Sequence, residues 1–299
     1  MKFSSIMMLL FTSCIFLTVE TSGEDLTPYD VGSPLATGKP WTIDFNNHET
    51  GQYSAHQLNT DWAYPKWQMG RNLVSVVEGS EAFSGKSLKL KYAKGISSCS
   101  GIKRCIYWPV DLGVKLDKLY YGFRFKLSEN FDYIKGGKLP GIAGGKGNAG
   151  GRIPNGKDGW SVRMMWNDEG RLVQYVYHPD QPRKYGDAMF WGMQGKPVEK
   201  GKWHTVQTMV QLNTPGQKNG VIVSWINGKQ VLRREGLRFR DIDGLEIDRF
   251  QFVSFFGGYG PDWAPRKDEF AYIDDVRLSL TPPFFKSGSE AGTDTTTNP

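Results

Sequence analysis

Two neighbouring stretches of the chain alternate apolar and polar residues with a period of two, the period of an extended strand with one buried face. In Trp160-Ser161-Val162-Arg163-Met164-Met165-Trp166 one face carries Trp160, Val162, Met164 and Trp166, and the other carries Ser161 and Arg163. In Val173-Gln174-Tyr175-Val176-Tyr177, an inward Val176 puts Tyr175 and Tyr177 on the side of Ser161 and Arg163. Asn167-Asp168-Glu169-Gly170 joins the two as a hairpin turn. One sheet surface then gathers a hydroxyl, a guanidinium and two phenols, a set suited to hold an anion and move a proton.

The same signal recurs at 87–92, 120–127, 203–212, 220–226, 249–256 and 270–280, with Gly, Pro and Asn turns between and almost no helical periodicity. Asn227-Gly228 after the 220–226 stretch has the composition of a tight hairpin turn. The expected fold is all-β, a two-sheet antiparallel jelly-roll sandwich of the lectin-like kind. The expected organisation is a secretory signal peptide at 1–23, one domain over 24–285 and a disordered polar tail at 286–299. The apolar run at 6–17 is too short to span a bilayer, so the mature protein is expected outside the cell and free of the membrane. Cys14 leaves with the signal, and Cys99 and Cys105 remain as an even pair, read as a disulfide.

A net charge of +6 and a pI near 9.0 favour an acidic partner, but no recognised nucleic-acid motif accompanies them. His48, His56, His178 and His204 lack paired ligand spacing, so no metal or other cofactor is expected. Gly145-Lys146-Gly147-Asn148-Ala149-Gly150 matches the dinucleotide glycine pattern, yet turn residues follow where a helix is needed, so it reads as a mobile loop over a cleft. Gly85-Lys86-Ser87 reads as a turn, and no nucleophile elbow surrounds Ser161. The carboxylates of Asp241-Ile242-Asp243-Gly244-Leu245-Glu246 are checked as a glycosidase pair and read as a solvated loop. Lys138, bracketed by glycines, is either a surface-turn lysine or an amine reaching into a groove. Gln207, Met209 and Gln211 share the non-core face of their strand, either a sugar-binding stripe or a wet sheet face, and His178 either extends the cleft or ends its strand.

With these motifs in view, the chain resembles the alginate lyases of polysaccharide lyase family 14, found in marine gastropods and a chlorovirus. The resemblance rests on Gly136-Gly137-Lys138-Leu139-Pro140-Gly141, on residues 160–166, on Tyr175-Val176-Tyr177, and on Phe255-Phe256-Gly257-Gly258 with Trp263-Ala264-Pro265. It runs from Ser84-Gly85-Lys86-Ser87-Leu88 to Tyr272-Ile273-Asp274-Asp275. It implies functional roles for Lys138, Ser161, Arg163, Tyr175 and Tyr177, and cleavage of an acidic polyuronate, alginate first, by β-elimination. The cation-rich loop at 144–157 departs from the family pattern and makes Lys146 and Arg152 candidate substrate contacts, beside His178, Gln207 and Gln211.

In such a reaction Arg163 would neutralise the uronate carboxylate, with Ser161 adding a donor. Lys138 and Tyr175 would share acid and base duty, Tyr177 assisting, and the nearby cations are expected to favour the Tyr175 phenolate. A monomer acting on a polysaccharide is expected. A glucuronan lyase, a non-catalytic glycan-binding module, and a hydrolase using the 241–246 carboxylates are the competing readings.

Overall fold

The computed structural model describes residues 33–99 and 105–282. The proposed signal peptide, the first residues after it and the polar tail lie outside the described residues. In chain order the strands are β1 (Trp41–Ile43), β2 (Gly51–Gln52), β3 (Val74–Glu78), β4 (Lys86–Tyr92), β5 (Ile106–Leu116), β6 (Lys118–Leu127), β7 (Gly136–Gly145) and β8 (Gly159–Asn167). They continue as β9 (Leu172–Tyr177), β10 (Asp187–Phe190), β11 (Trp203–Gln211), β12 (Gly220–Ile226), β13 (Lys229–Leu237), β14 (Ile247–Phe256) and β15 (Glu269–Ser279).

A nine-stranded antiparallel sheet, ordered β13-β12-β11-β6-β15-β4-β3-β2 with β1 also on β15, packs on a six-stranded sheet ordered β10-β9-β8-β7-β14-β5. The fold is the expected all-β jelly-roll sandwich. Between the sheets lie Trp108, Trp160, Trp166, Phe250, Phe252 and Phe256, with Trp108 stacked on Phe252 at 4.4 Å between ring centroids. Polar bridges cross this layer: Gln174 of β9 donates to the Tyr121 hydroxyl at 2.9 Å and accepts from Ser224 at 3.2 Å, and the Tyr92 and Ser254 hydroxyls meet at 2.6 Å. A buried amide satisfied on both ends fixes how the sheets sit on each other.

One short helix, α1 (Ala55–Trp62), is not anticipated by periodicity because it has barely two turns. Ser54 and Gln57 form a reciprocal capping box at its start, and its Trp62 stacks on Phe250 in the core. The segment around Lys138 is not a surface turn but the central strand β7. Its glycines are there for close packing: a Cβ on Gly137 would lie 2.1 Å from the Trp166 ring, and one on Gly141 2.2 Å from the Val162 carbonyl oxygen. Pro140 is accommodated by a β-bulge, where the pairing with β8 slips between Leu139 and Gly141. The residues at 241–246 form a loop before β14, with Asp241 held by Arg238 at 2.7 Å, and no carboxylate pair faces a sheet.

Candidate active site

The outer face of the six-stranded sheet carries the site. Ser161 pairs with Tyr177 and Arg163 with Tyr175 across the β8–β9 hairpin, the register expected from side-chain parity. On the other side of β8, Ala143 pairs with Ser161 and Gly141 with Arg163, and β14 adds Arg249 opposite Ala143 and Gln251 opposite Gly141. A row of residues therefore runs across the strands as Ala188, Tyr175, Arg163, Gly141, Gln251 and Pro109. Gly141 and Ala143 keep the floor low between the larger side chains, which makes the row a trough.

Lys138 joins this face because of the bulge. In an unbroken strand Lys138 and Gly141, three residues apart, would point to opposite faces; the extra residue at Pro140 brings both to the outside and leaves Leu139 and Ile142 in the core. The Lys138 Nζ lies 2.9 Å from the Met165 sulfur and 4.1 Å from the centre of the Tyr175 ring. Both cations are 7% exposed, and among the described residues neither has a carboxylate partner. The Arg163 Nε is buried with no hydrogen-bond partner. An unpaired buried charge is costly unless an anion completes the site.

Burial, reinforced by the Arg163 charge, holds the Lys138 ammonium well below the ordinary lysine range. Burial also lowers Arg163. Tyr175 moves the other way: desolvation first, then the neighbouring Tyr177, raise it above the ordinary phenol range and outweigh the pull of Arg163. The expectation of a favoured Tyr175 phenolate is therefore reversed.

Ser161 is fully buried and donates to the Asn148 carbonyl at 2.6 Å, and the Tyr177 hydroxyl accepts from the Gly151 N–H at 3.0 Å. Lys146 and Arg152 lie exposed on the loop between β7 and β8 that these two residues hold. His178 ends its strand: it is buried in the turn after β9, its Nε2 3.5 Å from Asp187 and its N–H bonded to the Gln181 side chain. Gln207 and Gln211 are not brought to the trough. They belong to β11 in the nine-stranded sheet, and with Val206 and Val210 in the core they face the far side of the molecule, around Met209, Tyr120 and Val223.

Sequence reasoning passed over Met165, Gln251 and Tyr107. Gln251 sits at the polar phase of a strand that was recognised, so the alternation Arg249, Gln251, Val253 carried the signal. Burial raises the Tyr107 phenol, and the charges of Arg249, Arg163 and Arg152 with a hydrogen bond to Gln251 oppose that rise. The disulfide joins Cys99 to Cys105 just ahead of β5 and Tyr107. Among the described residues no group of three or more His, Cys, Asp or Glu side chains stands close enough to hold a metal ion.

Comparison with curated proteins gives no match. Solved structures do match. The structure of the alginate lyase Aly36B superposes with a TM-score of 0.70 at 26% identity, over 80% of this chain and 96% of that one. The alginate lyase from Aplysia kurodai gives 0.68 at 22% identity over 81% and 98%, and that from Chlorella virus 0.56 at 23% over 68% and 88%. The family model described as Polysaccharide lyase 14 matches residues 80–276, which include every strand from β4 to β14 and most of β15. A match over more than half of the sequence, carried on the shared sandwich, makes this chain a polysaccharide lyase of family 14.

Proposed function

We propose that the protein is a secreted enzyme that cleaves alginate by β-elimination, leaving an unsaturated uronate at the new non-reducing end. The observation that carries this reading is the buried Arg163 guanidinium, which faces the trough without a carboxylate partner beside the equally buried Lys138 amine. A uronate carboxylate supplies the missing anion. Alginate is the polymer named for Aly36B, variants of which were solved in complex with an alginate tetrasaccharide and an alginate trisaccharide. The disulfide and the composition of residues 1–23 support secretion, and a trough completed within one chain supports action as a monomer.

The C5 proton of a uronate is weakly acidic while its carboxylate keeps full charge. Arg163 binds that carboxylate through its planar fork and stabilises the charge that builds on it as C5 loses its proton. The neutral Lys138 amine takes the C5 proton, the electron pair forms the C4–C5 double bond, and the C4–O4 bond breaks. Tyr175 protonates the departing O4 from a phenol that burial keeps intact. The low-lying Gly141 lets the ring settle against Arg163, and Lys146 and Arg152 meet carboxylates further along the polymer.

Digestion of mannuronate-rich and guluronate-rich alginates and of a glucuronan, followed by ultraviolet absorbance of the new double bond, tests the reading. Cleavage of alginate with loss of at least 1,000-fold in kcat/KM for Lys138→Ala and Arg163→Ala, both folded, is expected, on the order of the effect of a removed acid–base or oxyanion group. Saturated products would replace the lyase chemistry by hydrolysis. Cleavage of glucuronan alone would reassign the substrate.

A further inference from the structure

Two side chains on the row beside Arg163 and Tyr175 are committed to the backbone of one loop. Ser161 Oγ donates to the Asn148 carbonyl at 2.6 Å, and Tyr177 Oη accepts from the Gly151 N–H at 3.0 Å. Both residues are almost wholly enclosed, at 0% and 1% exposure, whereas Tyr175 next to them is half-buried. The loop itself is closed by Asn148, whose side-chain amide donates to Asp158 at 3.1 Å. Gly147, Gly150, Gly151 and Gly156 all adopt positive φ within it, a backbone that only such ties keep in a single arrangement.

The loop reaches from Tyr177 on β9 to β14, where Gly147 packs against Ala143 and the side chains of Gln251 and Arg249. It thus borders the trough along one side over four strands. It holds Lys146 and Arg152 exposed, with the Arg152 Nε turned back to the Ala149 carbonyl at 3.4 Å.

We propose that Ser161 and Tyr177 are positioning residues that clasp the 146–158 loop as a fixed wall, so that Arg152 meets the carboxylate of a uronate ring outside the pair being cleaved. The proposal rests on the lyase reading of Lys138, Arg163 and Tyr175. Neither clasp residue moves a proton in the reaction. The Ser161 hydroxyl acts through the loop, and that of Tyr177 does so while also hydrogen-bonding its neighbour Tyr175.

Tyr177→Phe and Ser161→Ala, made singly and together in the full chain, are assayed on polymeric alginate, with trypsin sensitivity after Arg152 measured in parallel. The expected result is a KM raised on the order of tenfold in each single variant, the scale of one or two lost hydrogen bonds, with kcat reduced no more than about fivefold and the limbs of its pH profile in place. Cleavage after Arg152 accelerates in both, because it samples opening of the loop. The double variant is little worse than the worse single one, since both ties hold the same element. Arg152→Ala raises KM for polymer and leaves KM for an alginate trisaccharide unchanged. A hundredfold fall in kcat for Tyr177→Phe with wild-type trypsin resistance, or loss of a pH limb, would overturn the proposal by making Tyr177 a proton carrier. Should Tyr177→Phe fail to fold, Ser161→Ala carries the same test. Full activity of Lys138→Ala would instead sink the lyase reading beneath it.

Discussion

Replacing Gly141 by alanine isolates the part of the site that has no side chain. The added Cβ would sit 2.2 Å from the Val162 carbonyl oxygen, 2.6 Å from the Arg163 Cα and 3.0 Å from its Cγ. Ordinary contacts of that kind begin above 3 Å, so β7 and β8 must part by about 1 Å at the centre of the sheet, where neighbouring ladders resist it. Overpacking of this size costs about 2–3 kcal/mol, or roughly 5–10 °C in Tm for a domain of this length. The same displacement moves the Arg163 guanidinium, and about 1 Å of misplacement is worth about 100-fold in rate. Differential scanning fluorimetry and initial rates on alginate measure both. The matched control is Gly216→Ala in the turn between β11 and β12, where nothing lies within 4 Å and only the φ of +77° opposes the substitution. That control should lose about 1 kcal/mol and no activity. A Gly141→Ala protein with native melting and native turnover would refute the packing argument and, with it, the claim that the trough floor positions Arg163.

The pH dependence of kcat follows from the opposed shifts of Lys138 and Tyr175: the base works above its lowered pKa and the acid below its raised one, so kcat should form a plateau across neutrality, and an acid limb near 10.5 would contradict it. Asp274, buried beside Ser87 and Asp275, holds its proton up to about pH 7, against about 3.9 in an unfolded chain, so stability should decline as pH rises from about 4 to about 7 and the decline should shrink in Asp274→Asn, as read by Tm against pH. Breaking the disulfide with Cys99→Ser and Cys105→Ser should lower stability by about 2 kcal/mol on loop-closure grounds, measured by urea unfolding, and an unchanged midpoint would reject it. Gln211→Ala should leave KM and kcat on alginate at wild-type values, since that side chain faces away from the trough; a raised KM would restore it as a substrate contact.

Parity within a hairpin was enough to pair Arg163 with Tyr175 and Ser161 with Tyr177, because the turn between β8 and β9 leaves one register that buries the tryptophans. The same parity put Gln207 and Gln211 on a non-core face but could not say which sheet that face belongs to. A sandwich has two outer faces, and only the long-range pairing of β11 with β6 chooses between them. β7 escaped notice since its Gly and Pro content reads as a turn, while in the folded chain those glycines admit Trp166 and Arg163 and the proline sits at a bulge. β5 was hidden by Pro109, tolerated at the edge of its sheet. The direction of the Tyr175 shift was misjudged because local sequence shows neighbouring charges and not the depth of burial that outweighs them.

The single surplus residue in β7 makes that strand tolerant of one change of length and intolerant of another. Losing Pro140 would make Leu139 and Gly141 neighbours, as their partners Met164 and Arg163 already are, so pairing would become regular with Lys138 still outside and Leu139 still in the core; a residue added beside Lys138 and taken up by ordinary pairing would instead swing the amine into the hydrocarbon interior. A relative with such an insertion could keep the sandwich and still be chemically silent. The side of the sheet on which that lysine emerges therefore depends on how the strand takes up its extra residue, and not on the count of residues alone.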